Sequence, residues 1–338
     1  MQRSIYVLIV LAVALLIWSC GDDNGDWEEF RDAVMEVQDL QLKVPESEGQ
    51  NKRVSSVALN STLGQPGDYY TVTVQMTREV NFHILGMLGW LDDILSYEPT
   101  KLEGDKATWG PFKPDAGLSQ FEMRVIVEKK ADNHFKFSFD VRPKEGGDWK
   151  SFYSGENKTT GSTARRGEGY LNIDFDVVAA VDTTSKLRGS LDVTFDTAEG
   201  RNIDIVYNQF QDLDENEEPF DATYHYAENA DLSGEFRFTA SGDIHKDDWG
   251  NQYPEKEDWV VTTRWQSEGA GRSDVTATGG DMDATTPPVE KFLISECWGD
   301  DFGVTYYTMQ VETSTGETYT DPTAAGEESS CVFEEADL

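Results

Sequence analysis

The sequence predicts a mainly β protein: a large antiparallel meander, curled as a half-barrel or a sandwich, with one N-terminal helix and one apolar helix packed on the concave face. Three observations favour this fold. From about residue 52 onward, apolar and polar residues alternate with a period of two. Turn clusters such as "KEGGD", "TAEGR" and "SEGAG" separate the alternating runs. Two segments follow the helical period instead.

The first element along the chain is an apolar run from Ile5 to Trp18, preceded by Arg3. This layout is typical of a secretory signal peptide, here residues 1–19. A membrane-spanning helix needs about 20 apolar residues, so a permanent transmembrane anchor is the weaker interpretation. An ordinary cleaved signal followed by an incidental Cys20 is the other alternative.

The segment "LIWSC", which ends at Cys20, resembles the lipobox of bacterial lipoproteins. That resemblance implies that Cys20 becomes the first mature residue and carries a covalent lipid with acyl chains such as palmitate. Two acyl signals suffice for stable anchoring, because each buried methylene contributes about 0.8 kcal/mol. In Gram-negative lipoproteins an aspartate directly after the cysteine favours the inner membrane. Gly21 occupies that place, so the resemblance implies the outer membrane, on its periplasmic or surface side.

The composition indicates an acidic, folded protein. The chain carries 28 basic and 64 acidic side chains, a net charge of −36, and removal of residues 1–19 deletes only one basic residue. Such a chain is repelled by nucleic acid, which excludes a nucleic-acid partner. Aromatic residues make up 12% of the chain, more than a disordered protein carries. We expect an acidic tether over 20–26 and a single β-rich domain over 27–338, with a subdomain break near 154–169.

The N-terminal helix is predicted from a cap and a stripe. Asp26 and Glu29 have the spacing of a capping box at a helix start. Apolar residues then recur at helical spacing, which indicates one buried face. These residues are Trp27, Phe30, Val34 and Val37.

The strands are predicted from alternation that leaves one face apolar and the other polar. We expect roughly twelve to fifteen strands in hairpin order. The clearest runs are "FEMRVIVEKK", "HFKFSFDVRP", "YLNIDFDVV", "GSLDVTFDT", "GEFRFTASG" and "DWVVTTRWQ".

The apolar helix is predicted in "NFHILGMLGWLDDILSYEP", which ends at Pro99. The first residues of this segment could equally extend the preceding run "YYTVTVQM", which alternates like a strand, and in that alternative the helix begins near Gly86. Gly86 and Gly89 are expected to let its backbone approach the strands closely. Plain core packing is the favoured role for the helix. Its predicted stripe consists of Ile84, Leu88, Leu91 and Leu95.

Two cysteines remain once Cys20 carries lipid, and in an exported protein Cys297 and Cys331 are most simply a disulfide. The chain-entropy estimate for closing their loop is roughly 4 kcal/mol. The bond would also hold down the polar C-terminal segment. Two free thiols are the alternative.

A weak calcium candidate lies in "DLDENEEPFD", where Asp212, Asp214 and Asn216 have the alternate spacing of calcium ligands. An EF-hand loop would next need a glycine and a bidentate glutamate, but Glu217 and Thr223 stand there. A solvated hairpin tip is therefore favoured, and no cofactor besides the lipid is expected.

No pattern in the sequence indicates catalysis. The four histidines are dispersed, and GxSxG, SxxK, HExxH and Walker motifs are missing. We therefore expect no enzyme activity. The aromatic residues Trp259, Trp265 and Trp298 fit core packing, with a ligand cavity as the alternative.

Local patterns suggest the wider family. "KATWGPF", "GRSDVTATGGDM" and "SECWGDDF" resemble those of uncharacterised envelope lipoproteins of Gram-negative bacteria. The expected architecture is also similar to that of half-barrel lipoprotein carriers, which hold acyl chains between sheet and helices. Two functions follow: a structural or interaction protein that meets another envelope protein, which a filled core favours, or a carrier of a lipid or other hydrophobic ligand on the concave face.

Overall fold

The structure is a computed structural model that describes residues 27–46, 61–112, 121–161, 165–214, 218–242 and 254–336. The signal segment, Cys20 and the tether lie outside these residues. Within them the chain is mainly β, and its strands form one large antiparallel sheet that is not closed into a barrel. Mainly β content and an antiparallel sheet are therefore confirmed.

Strands β1 to β15 pair in chain order, and β16 pairs with β14. The predicted meander is therefore confirmed for the described ranges. The strands are β1 (Lys101–Glu103), β2 (Lys106–Phe112), β3 (Phe121–Ala131), β4 (His134–Pro143), β5 (Lys150–Thr159), β6 (Gly167–Asp174), β7 (Leu187–Asp196), β8 (Arg201–Asp212), β9 (Phe220–Glu228), β10 (Gly234–Gly242), β11 (Glu257–Trp265), β12 (Gly271–Thr278), β13 (Val289–Trp298), β14 (Val304–Thr313), β15 (Thr318–Thr320) and β16 (Ala325–Gly326).

The long helix α1 spans Asp68–Leu95. The predicted strand "YYTVTVQM" is therefore wrong, and so is the alternative start near Gly86. One buried stripe runs the length of the helix with steps of three and four residues. Two of its positions are threonines, which hid the helical period in a stretch rich in β-branched residues. The stripe consists of Thr73, Thr77, Val80, Ile84, Leu88, Leu91 and Leu95.

The predicted role of the two helix glycines is also wrong. A Cβ added at Gly86 or at Gly89 would meet no atom within 4 Å, so neither glycine is needed for close approach to a strand. The packing contact comes from a large side chain instead, because the ring of Trp90 lies 4.3 Å from that of Phe139 on β4.

The N-terminal helix is a 3₁₀ helix over Trp27–Ala33, followed by a short 3₁₀ turn over Val37–Asp39. The predicted single helix to Val37 is therefore wrong, although Phe30 and Val34 of its predicted stripe are buried. A 3₁₀ helix has three residues per turn, which puts Phe30 and Ala33 on one face, and both are buried. Phe30 packs edge-on against Phe135. The predicted capping residue Asp26 lies outside the described residues.

A second helix, α2 (Phe175–Val181), interrupts the run that predicted a single strand. Asp174 ends β6 and caps this helix, since its side chain accepts the N–H groups of Asp176 and Val177. An aspartate at the N-cap stabilises a helix start by about 1 kcal/mol. The strand prediction "YLNIDFDVV" therefore fails at this aspartate.

The chain divides into two compact units. The first unit comprises residues 27–40, 86–198 and 207–220, and its core includes the ring pair Phe139–Phe152. Residues 154–159 and 167–169 of the predicted break region lie on β5 and β6 in this unit, and the break itself stays a prediction. The second unit comprises 41–85, 199–206 and 221–336, and Tyr70 packs there on Trp298 and Phe302.

Candidate functional site

Cys297 and Cys331 form a disulfide, with their Cα atoms 5.4 Å apart. This prediction is confirmed. The bond joins β13 to the segment Glu327–Ala336, which we call the C-terminal tail.

The two described calcium candidates, Asp212 and Asp214, lie at the end of β8 and in the turn that follows it. The Asp212 carboxylate accepts the N–H of Asp214 at 2.9 Å, and Lys186 Nζ lies 4.0 Å from Asp214 Oδ1. Asn216 lies outside the described residues. Across the described part of the chain, no group of three or more histidine, cysteine, aspartate or glutamate side chains is placed to hold a metal ion. The two described aspartates act as turn residues in this structure.

The three tryptophans brace hairpins rather than line a described cavity. Their indole N–H groups donate to main-chain oxygens: Trp265 to Leu232 at 3.0 Å, Trp298 to Gly269 at 2.9 Å and Trp259 to Gly242 at 3.1 Å. Trp265 and Trp298 are almost fully buried. A buried indole needs such an acceptor, so core packing explains both side chains.

The ring of Trp265 lies over Gly234, its register partner on β10. A Cβ on Gly234 would lie 2.6 Å from Trp265 Cζ2 and 2.5 Å from the carbonyl oxygen of Ala227. Only glycine leaves room for the indole at this position.

A buried carboxylate on β13 receives the first turn of α1. Glu296 is 0% exposed, and its oxygens accept the N–H groups of Asp68 at 2.8 Å and of Tyr69 and Tyr70 at 3.1 Å each. The Ser61 hydroxyl also donates to it. These amides are among those that a helix leaves without an intrahelical partner. Glu296 therefore caps α1 from another element.

Burial raises the pKa of Glu296 to about 7, because desolvation outweighs the opposing effect of the bonds from Ser61 and from the N–H of Tyr70. The nearby Asp68 adds to the rise. A carboxyl group with a pKa in this range suits acid–base chemistry. Glu296 is fully enclosed, however, so its geometry serves to hold α1.

The pKa of Glu296 predicts a pH dependence of stability. Folding raises the pKa of Glu296 from 4.5 to about 7. The stabilisation that comes from this shift is therefore fully present below pH 4.5 and is lost as the pH rises through 7. The free energy of unfolding of the wild type, relative to that of the non-titrating Glu296→Gln variant, is expected to fall over this range. Urea unfolding of both proteins at a series of pH values measures it. A difference that grows with pH would contradict the assignment.

On the opposite face of the same strands, a charged cluster is buried. Arg264 and Arg272 are direct register partners on β11 and β12. Asp274 lies between them, with Arg272 Nε donating to Oδ1 at 2.8 Å and Arg264 Nη2 lying 3.2 Å from Oδ2. Ser295 accepts from Arg272 at 3.0 Å and donates to Asp274 at 2.7 Å. We call these four residues the arginine face.

The C-terminal tail covers the arginine face. The carbonyl oxygens of Phe333 and Glu334 accept from Arg272 and Arg264, respectively, and the N–H of Ala336 donates to Asp274 at 3.0 Å. Arg272 and Asp274 are each 1% exposed as a result. A cavity of about 90 Å³ remains beside Arg272, lined also by Ser295, Tyr306, Thr308, Gln310, Leu293, Glu328 and Glu335.

The buried Glu296 cap and the arginine face were not predicted from the sequence, although the sequence contains a signal for each. Period two in "KFLISECW" places Glu296 on the same face as Ile294 and Trp298, which indicates a buried carboxylate. The same period places Arg272 and Asp274 on the face expected to be wet. Their burial depends on the tail, which only the cysteine pair indicated.

Within the described ranges, no helix is both long enough and apolar enough to span a membrane. No family model, curated protein or solved structure matches the chain.

Proposed function

We propose that this chain is a non-catalytic envelope lipoprotein, anchored through Cys20 to the outer membrane and acting as a structural or interaction protein. The anchor is supported by the apolar run that ends in "LIWSC". The disulfide between Cys297 and Cys331 supports an oxidising compartment outside the cytoplasm.

The observation that carries the structural role over that of a lipid carrier is the filled contact face of α1. Leu88, Leu91 and Leu95 are at most 1% exposed. Trp90 packs directly on Phe139. A carrier needs an apolar space beside such side chains, whereas these are covered by protein.

Metabolic labelling with a fatty-acid probe tests the anchor. The wild type is expected to incorporate the probe and to sediment with membranes, whereas Cys20→Ala is expected to lose the label. Cys331→Ser is the matched control, since it removes another cysteine and is expected to keep the label. An unlabelled wild type, free in the soluble fraction, would contradict the anchor.

Native mass spectrometry after gentle extraction separates the two roles. The structural role predicts the mass of the lipidated chain alone. A second, non-covalent acyl species that is repeatedly retained would support a carrier and overturn this part of the proposal.

A further inference from the structure

We propose that the arginine face is a binding site for an acidic peptide in extended conformation, and that the C-terminal tail occupies it as a tethered substitute. The proposal names a partner for the interaction role, but it does not depend on the lipid. Labelling at Cys20 and peptide binding therefore fail independently.

Three contacts to the tail use its main chain, while the Phe333 ring also lies 5.3 Å from the guanidinium carbon of Arg264. Arg272 and Arg264 donate to the carbonyl oxygens of Phe333 and Glu334, and Asp274 accepts the N–H of Ala336. Every peptide carries these groups. A segment of another protein in extended conformation can therefore make the same three contacts.

The tail fits Arg272 poorly. Arg272 Nη1 lies 3.4 Å from the Phe333 oxygen and 3.6 Å from Glu328 Oε1. A good bond from a guanidinium to a carboxylate is about 2.7–2.9 Å long. The adjoining cavity of about 90 Å³ adds room for a carboxylate that reaches Arg272 directly. The site is thus larger than its present occupant requires.

The charge of the uncovered face selects the occupant. The arginine face carries two guanidinium groups, those of Arg264 and Arg272, against the carboxylate of Asp274. Glu235 and Arg237, which lie beside it on β10, add one charge of each sign. Without the tail the site therefore carries net positive charge on a chain of net charge −36. Guanidinium groups pair well with carboxylates. The tail itself brings the acidic pairs Glu327–Glu328 and Glu334–Glu335. An acidic peptide is therefore the complementary partner.

The disulfide is the main tether of the tail. Most tail side chains are exposed, including Val332 at 40%, so docking buries little apolar surface. Cys297 is fully buried, whereas Cys331 is partly exposed. Cys331 is therefore the sulfur that a reductant can reach.

A dithiol reductant can release the tail by exchange. Its first thiolate attacks the Cys331 sulfur, which breaks the disulfide, and Cys297 leaves as a thiolate that takes up a proton. Its second thiol then displaces Cys331 as a thiol. The protein gains two electrons and two protons, and the reductant is oxidised to its own disulfide.

The experiment compares the oxidised wild type with the full-length Cys331→Ser variant. Hydrogen exchange first reports whether the tail amides are protected. The probe is a labelled peptide with the sequence of residues 327–336, serine in place of its cysteine and an amidated terminus. The matched peptide has glutamine at all four glutamates. Cys331→Ser combined with Arg264→Gln serves as the site control, because Arg264 is the less buried arginine.

In Cys331→Ser the tail amides are expected to lose protection, and the acidic peptide to bind about tenfold more tightly than to the oxidised wild type. The glutamine peptide and the Arg264→Gln control are each expected to weaken binding about tenfold. A tail that stays protected without its disulfide would overturn the proposal. So would equal or undetectable peptide binding by the two proteins, or equal binding of the two peptides.

Discussion

Replacing Glu296 by alanine is expected to lower the free energy of unfolding by about 3–5 kcal/mol. The substitution removes the shared acceptor of the Asp68, Tyr69 and Tyr70 amides and of the Ser61 hydroxyl. These donors lie where water does not replace the lost oxygens, since Glu296 is fully buried. Equilibrium unfolding in urea, followed by circular dichroism, measures the loss.

Two variants control this measurement. Glu296→Gln keeps one acceptor oxygen and is expected to lose less than the alanine variant. Glu290→Ala changes an exposed glutamate of the same strand and is expected to stay within about 0.5 kcal/mol of the wild type. A Glu296→Ala protein as stable as Glu290→Ala would show that α1 does not depend on this cap.

Replacing Trp265 by alanine is expected to cost about 3–5 kcal/mol, because the side chain is 1% exposed and the change leaves a cavity. The reverse change in volume, Gly234→Ala, is expected to cost about 1–3 kcal/mol, since the new methyl group meets the indole. The double variant with Trp265→Ala is expected to lose less than the two single losses added, because the indole that opposes the methyl group is gone.

Gly242, at the other end of β10, provides the matched control. A Cβ there meets no atom within 4 Å, so Gly242→Ala is expected to change stability by less than about 0.5 kcal/mol. Calorimetry of the four variants and the wild type gives the comparison. If the stability losses of Gly234→Ala and Trp265→Ala add fully in the double variant, the indole does not require a glycine at position 234.

The sheet was predictable because period two survives in most strands and most neighbouring strands are joined by short turns. The N-terminal half of α1 was not, since Thr73 and Thr77 occupy its buried stripe. Thr77 donates to Val74 O, and Thr73 shares a hydrogen bond of 2.7 Å with Thr263, so both hydroxyls are satisfied inside. A sequence pattern counts a threonine as polar wherever its partner is unknown.

The two buried clusters were harder to predict because their partners are distant in sequence. Glu296 binds amides more than 220 positions earlier. Arg272 is covered by Phe333, which is 61 positions later. Alternation shows which face a side chain takes, but it does not show which remote segment covers that face.

The order of the strands also bears on how the chain folds. Each strand from β1 to β15 pairs with its neighbour in sequence, so sheet growth mostly closes short loops, which favours rapid folding. The N-terminal cap of α1 is the exception, because its carboxylate belongs to Glu296 on β13. During synthesis the helix therefore emerges long before its acceptor, and we expect its first turn to be completed only after β13 has formed.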